Sequence, residues 1–176
     1  DYYMINTTDS IYSQIIPVEY PKVGESPSPA RIGIIELAGQ KLTWLNIPGD
    51  PQQHYLPRME WNSADQLLVQ QLNRKQNHSK IFTIQVKENT SKLIFEEQDE
   101  TWIDVLSSWE NSYGLTYRHE FKWINAGKEF LWFSEKDGWR HLYRVDLSGK
   151  VTPVTHGNYD VINLLHFNEK ENLLYF

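Results

Sequence analysis

The chain repeats itself. Trp61 falls over Trp123 and Phe82 over Tyr143 at almost the same offset, and both stretches read strand, turn, strand, hairpin, strand, turn, short strand. Inside each strand candidate, apolar residues tend to recur at every second position, the period of a pleated strand rather than a helix. Lys80-Ile81-Phe82-Thr83-Ile84-Gln85-Val86 and Arg140-His141-Leu142-Tyr143-Arg144-Val145-Asp146-Leu147 show it best. A further copy opens at Leu164-Leu165-His166-Phe167 and runs into Leu173-Leu174-Tyr175-Phe176. Upstream, Arg31 to Leu37 and Leu42 to Ile47 read as two strands, closed by the turn Pro48-Gly49-Asp50-Pro51.

A repeat of about 45–60 residues carrying four strands is the mark of a β-propeller blade. A sandwich of evenly spaced strands is the structural alternative, and the repeated turn chemistry favours the propeller. The expected fold is therefore all-β, a partial β-propeller of about two full four-stranded blades plus parts of two others. The blades are placed at 30–54 (partial), 55–104, 117–162 and 163–176 (partial), with an insert at 106–118. Asp137-Gly138 is the strongest hairpin signal, since a tight turn with positive φ favours that pair. Pro153 fits an outer edge, where no ladder hydrogen bond is lost. No helix is expected. The insert, Ser107 to Arg118, reads as a long exposed loop.

Composition narrows the function. Aromatic residues make up 14%, which suits pleated surfaces. At strand spacing they are expected mostly in the core rather than on a sugar-stacking face. With 17 basic and 23 acidic residues the net charge is −6, which argues against a nucleic-acid or anionic-lipid partner. No apolar run approaches the roughly 18–20 residues of a membrane-spanning helix. There is no secretory leader pattern, and a first residue of Asp1 reads as an excised or processed piece.

The residue inventory also lacks reactive machinery. Zero cysteines remove thiolate nucleophiles and Cys-based zinc sites. There is no Gly-x-Ser-x-Gly elbow, no Walker loop and no dinucleotide fingerprint. The histidines at 54, 78, 119, 141, 156 and 166 lack metal-binding spacing and read as scattered surface or sheet residues. Glu96-Glu97-Gln98-Asp99-Glu100 could meet a cation or an amine, but reads more simply as a solvated turn after an outer strand. Asn6-Thr7-Thr8, Asn77-His78-Ser79 and Asn89-Thr90-Ser91 match a glycosylation acceptor that is common by chance. No residue is assigned a catalytic, cofactor or metal role, and no cofactor is expected. The residues alone describe a β repeat module that binds, positions or gates.

Four segments, in order, resemble the N-terminal β-propeller of the dipeptidyl peptidase IV family, in the prolyl oligopeptidase clan. They are Tyr20-Pro21-Lys22-Val23-Gly24-Glu25 with the Arg31–Ile35 strand; Tyr55 to Trp61 with Leu67 to Asn77; Trp102-Ile103-Asp104-Val105; and Phe130 to Tyr143, followed by Val154 to Gly157 and Tyr159-Asp160-Val161. The resemblance implies an internal piece of an eight-bladed propeller that covers an α/β-hydrolase domain bearing a Ser-Asp-His triad. It implies a parent serine exopeptidase that removes N-terminal dipeptides after Pro or Ala. This chain would gate and position substrate and be inactive alone.

The partners this resemblance implies are that C-terminal domain and peptide substrates, with a periplasmic or secreted location; separately, the unsealed strand edges at both ends of a cut ring are expected to pair with a second copy of the chain or another partner. Trp102, Asp104 and Val105 match a region near extended substrate subsites, although some members carry a basic and an aromatic residue at the last two positions. Glu96-Glu97 lacks the sequence context of the family's amine anchor and is not equated with it. The alternative reading is a non-catalytic envelope propeller used for protein–protein binding.

Overall fold

Turn residues cut the chain into short strands, and the computed structural model shows how they pair over the residues it describes, 2–105 and 121–176. In order the strands are β1 (Tyr2–Asn6), β2 (Gln14–Val18), β3 (Gly33–Ile35), β4 (Leu42–Trp44), β5 (His54–Trp61), β6 (Gln66–Asn73), β7 (His78–Gln85) and β8 (Thr90–Gln98). They continue with β9 (Phe121–Ile124), β10 (Glu129–Ser134), β11 (His141–Asp146), β12 (Val151–Pro153), β13 (His166–Asn168) and β14 (Leu173–Tyr175). Two four-stranded antiparallel meanders, β5 to β8 and β9 to β12, run in chain order, and three two-stranded hairpins accompany them. Among the described residues the only helical element is a 3-10 turn at Asn125–Gly127. No helix is long and apolar enough to cross a membrane.

Side-chain parity decides how the sheets stack. Leu67 and Val69 of β6 pack with Leu45 and the half-buried Ile32 and Ile34 on one side. Leu68, the residue between them, points to the other side and meets Phe130, Trp132 and Val145 of the next sheet. In that next sheet Leu131 and Leu142 again turn away, onto Leu164, Phe167 and Leu174. Each four-stranded sheet is thus covered on both faces. A two-sheet sandwich covers one face of each sheet, so the series of four stacked sheets excludes that alternative and is the packing of propeller blades. It also explains why β6 is buried at nearly every position rather than at alternate ones.

The central interface is aromatic. The Phe130 ring lies 5.2 Å from Phe121, 5.4 Å from Trp123 and 6.1 Å from Phe95. A register irregularity in β8 leaves Ile94 as an extra residue, and its backbone carbonyl abuts Gly149 of the adjoining sheet. Only glycine fits there, at φ +94. Lys92 Nζ donates to Leu147 O at 3.3 Å across the same seam. A second irregularity in β5 falls between Tyr55 and Arg58, where Pro57 sits on an edge strand.

Several expectations are corrected. The Arg31–Leu37 strand shrinks to three residues, β3. The β1–β2 hairpin has no counterpart in the sequence reading; its apolar residues are exposed, so it lacks the buried face that a period-two pattern reports. Asp137-Gly138 does lie in the β10–β11 hairpin, but not as a two-residue turn: Gly138 N donates to Glu135 O, and Ser134 pairs with His141 across a longer loop. The aromatics divide: Phe130, Trp132 and Tyr143 are buried, whereas Trp44, Trp61, Trp102 and Trp139 are exposed. The 106–118 insert lies outside the described residues.

Candidate functional site

A small cleft, open to solvent, lies where β8 and β10 end, between the two four-stranded sheets. One wall is a strap, residues 99–105, built by a local turn. Asp99 Oδ1 accepts hydrogen bonds from Thr101 N at 2.7 Å, Thr101 Oγ1 at 2.7 Å and Trp102 N at 3.1 Å. These bonds to the charged form, chiefly that from the Thr101 hydroxyl, hold the Asp99 carboxyl below the usual range. The strap is then pinned to the β6–β7 turn. Ile103 N donates to Gln76 O at 2.8 Å, and Gln76 Nε2 donates to Ile103 O at 3.1 Å. Ile103 is buried by this pairing, which leaves Trp102 and Asp104 exposed and Val105 half-buried along the cleft.

The opposite wall and floor come from both sheets. Gln70 lies two residues beyond Leu68 on β6, so it shares the face that meets β9–β12. It is 1% exposed, its Nε2 donates to Ser79 Oγ at 3.1 Å, and its Oε1 has no hydrogen-bond partner. Glu97, at the end of β8, accepts a hydrogen bond from Ser134 Oγ at 2.9 Å. Burial raises its pKa above the ordinary glutamate value, against the opposing pull of Ser134 and Lys136. Lys136 Nζ sits 4.0 Å over the Tyr143 ring, and the Arg140 guanidinium 4.6 Å over Phe133. Tyr143 is pushed up to about 12, first by burial and then by the nearby Asp137 and Glu97 carboxylates.

The structure brings Trp102, Asp104 and Val105 together on one strap. It also shows what the sequence reading missed. Glu96 and Glu97 are strand residues rather than part of a solvated turn, because β8 runs on to Gln98. Gln70 gave no signal, since a Gln pair inside an apolar run reads as a solvent-facing interruption. Two of the histidines expected on the surface or in sheets, His54 and His141, open β5 and β11 and are buried. His54 Nε2 lies 3.1 Å from Ala30 O, and His141 Nε2 lies 3.0 Å from Gly157 O, each tying its sheet to chain outside it. His141 Nδ1 also meets Thr155 Oγ1 at 3.1 Å. His119 lies outside the described residues. Among the described residues no three His, Cys, Asp or Glu side chains group to hold a metal ion. The cleft presents aromatic surface, one buried acceptor without a partner, and charges of both signs.

Comparison with known proteins gives this arrangement its context. The family model described as the dipeptidyl peptidase IV N-terminal region matches residues 1–176. The dipeptidyl peptidase 4 of Arthroderma otae is 28% identical over 171 residues, covering 94% of this chain and 21% of that protein. The dipeptidyl peptidase 4 of Trichophyton rubrum is 26% identical with the same coverage. In the crystal structure of Porphyromonas gingivalis dipeptidyl peptidase 4, the matched region is 31% identical with a TM-score of 0.75, covering 95% of this chain and 22% of that one. The chain thus spans about a fifth of the length of the proteins it is similar to.

Proposed function

Because the chain belongs to the dipeptidyl peptidase IV N-terminal region family, we propose that it is part of the propeller of a serine-type dipeptidyl peptidase, where it gates and positions peptides for removal of an N-terminal dipeptide, with a preference for Pro or Ala. The observation that carries this reading is the family match over all 176 residues, on a chain whose sheets stack as blades. In this reading the nucleophile and its base come from a C-terminal α/β-hydrolase domain. The blades supply a stiff wall that limits entry, excludes water and holds the peptide near its attack geometry.

Within that wall, Trp102, Asp104 and Val105 border the peptide path. The exposure of Trp102 and Asp104, with Val105 half-buried beside them on a strap pinned by Gln76, supports the assignment. The blades are read as 30–54, 55–104, 117–162 and 163–176. The exposed apolar β1–β2 hairpin supports pairing with a second copy.

The test compares the purified 176-residue chain with the full-length protein on Gly-Pro and Ala-Pro chromogenic substrates. The expected result is no release by the chain alone and release by the full-length enzyme. Trp102→Ala in the full-length enzyme raises KM several-fold and leaves kcat largely intact, the mark of lost uniform binding. Dipeptide release by the chain alone overturns the reading. Its absence from the full-length protein leaves the non-catalytic binding propeller instead.

A further inference from the structure

Among the described residues two histidines are buried, and their hydrogen bonds differ in what they allow. His54 has Ala30 O 3.1 Å from its Nε2 and Gln71 Nε2 3.0 Å from its Nδ1. Gln71 Nε2 also donates to Pro48 O at 2.7 Å. The partners dictate the direction of each bond. A carbonyl oxygen only accepts, so Pro48 O fixes which way round the Gln71 amide sits, and Ala30 O places the His54 proton on Nε2. The second N–H of Gln71 then points at His54 Nδ1, which must present a lone pair. The set is complete only with a neutral imidazole.

A proton on Nδ1 faces the N–H of Gln71. Turning the Gln71 amide over offers Oε1 to His54 but sets it against Pro48 O. One bond is lost either way, and a buried polar group without its partner is costly. No carboxylate is in contact to receive the charge: among the described residues none forms an ion pair with His54. Asp50, His78 and Lys80 line the same small cavity. Asp50 Oδ1 accepts from Gln52 N at 3.0 Å, His78 is engaged with Glu96 at 2.8 Å, and Lys80 is itself a cation. Of the flanking cations, Arg31 is exposed and Arg74 is stacked on the Tyr55 ring. His141 is the counter-case. Its Nδ1 meets a hydroxyl, Thr155 Oγ1 at 3.1 Å, which can donate or accept, and Asp137 Oδ2 lies 3.9 Å from its Nε2.

What His54 and Gln71 hold is one end of the segment that carries β3 and β4. Ala30 N donates to Pro51 O at 2.9 Å and Gln52 Nε2 to Pro27 O at 3.0 Å, so the two arms of this segment close on each other beside His54. We propose that His54 is an acid-sensitive latch: neutral, it clamps Ala30 and the Pro48–Pro51 turn onto the β5–β8 sheet, and on taking up a proton it lets that end go. Proton uptake by histidine falls within the physiological range, and it favours the state that frees Nδ1. The apolar contact of Ile32, Ile34 and Leu45 with Leu67 and Val69 is indifferent to pH, so release stays local to this end. The latch follows from hydrogen-bond directions and does not depend on the peptidase reading.

The experiment is hydrogen exchange with mass spectrometry on the full-length protein at about pH 8 and about pH 5.5, either side of the ordinary histidine value, with rates corrected for the intrinsic effect of pH. Peptides spanning residues 27–53 are expected to lose protection about tenfold at the lower pH, the scale of one buried hydrogen bond. Peptides spanning 141–157 are expected to keep theirs. His54→Gln retains an Nε2 donor for Ala30 O and does not titrate, so its 27–53 protection is expected to be the same at both pH values. If that variant loses its fold, the contrast between the two wild-type segments decides. Unchanged protection of 27–53 in the wild type, a loss shared equally by 141–157, or a loss that persists in folded His54→Gln overturns the latch.

Discussion

Two glycines allow the seam between the blades to be weighed directly. Gly149 and Gly138 have nearly the same backbone, φ +94 and φ +92. A Cβ on Gly138 meets nothing within 4 Å, whereas one on Gly149 runs into the backbone carbonyl of Ile94 across the seam. Alanine at either position carries the left-handed strain, roughly 1–2 kcal/mol. At Gly149 it also forces the sheets apart or flattens the bulge at Ile94, an overpacking cost of about 1–3 kcal/mol. Gly138→Ala is thus expected to destabilise by roughly 1–2 kcal/mol and Gly149→Ala by about 2–5 kcal/mol. The assay is urea unfolding of the purified chain, followed by circular dichroism and tryptophan fluorescence. The difference between the variants isolates the contact, since the backbone term is common to both. If Gly149→Ala costs no more than Gly138→Ala, the two sheets do not bear on each other as described, and the blade stack is wrong at its central seam.

Two further outcomes test the site and its supports. The folded-state pKa of Glu97 lies above the ordinary 4.5, so between those values the folded chain binds more protons than the unfolded chain. Stability is therefore lost as pH rises through that window, and Glu97→Gln should gain on the wild type over the same range; parallel stability curves would refute the burial of this carboxyl. Thr155→Val strips Leu142 N and His141 Nδ1 of a shared partner at 2.9 and 3.1 Å. It should cost about 2–4 kcal/mol in chemical denaturation for two orphaned buried groups, and a loss below 1 kcal/mol would show that the His141 network is solvated.

The repeat was legible because its marks are local. Trp61 and Trp123 do fall on the first strands of equivalent sheets, and Phe82 and Tyr143 on the third. Pro153 does stand on an edge strand. Alternation and turn residues act over a few positions, so they survive in one dimension. The cleft did not. Trp102, Asp104 and Val105 stand out only through the family resemblance, Glu97 sits in an acidic run that reads as a solvated turn although it could meet a cation or an amine, and Gln70 carries no signal. Gln70 looks like any solvent-facing polar residue until its neighbour Leu68 is seen to face the next sheet. Glu97 looks like part of a charged loop until β8 is seen to continue past it.

By itself, then, the order of residues determined the strand period, the turns and the repeat that makes blades. Tertiary structure decided which strand face was buried twice, that Ile94 bulges into Gly149, and which polar atoms were stranded in a cleft. The reason is that alternation says only that two faces differ. What covers each face depends on a sheet some 60 residues away in the chain, and only stacking brings its atoms within reach.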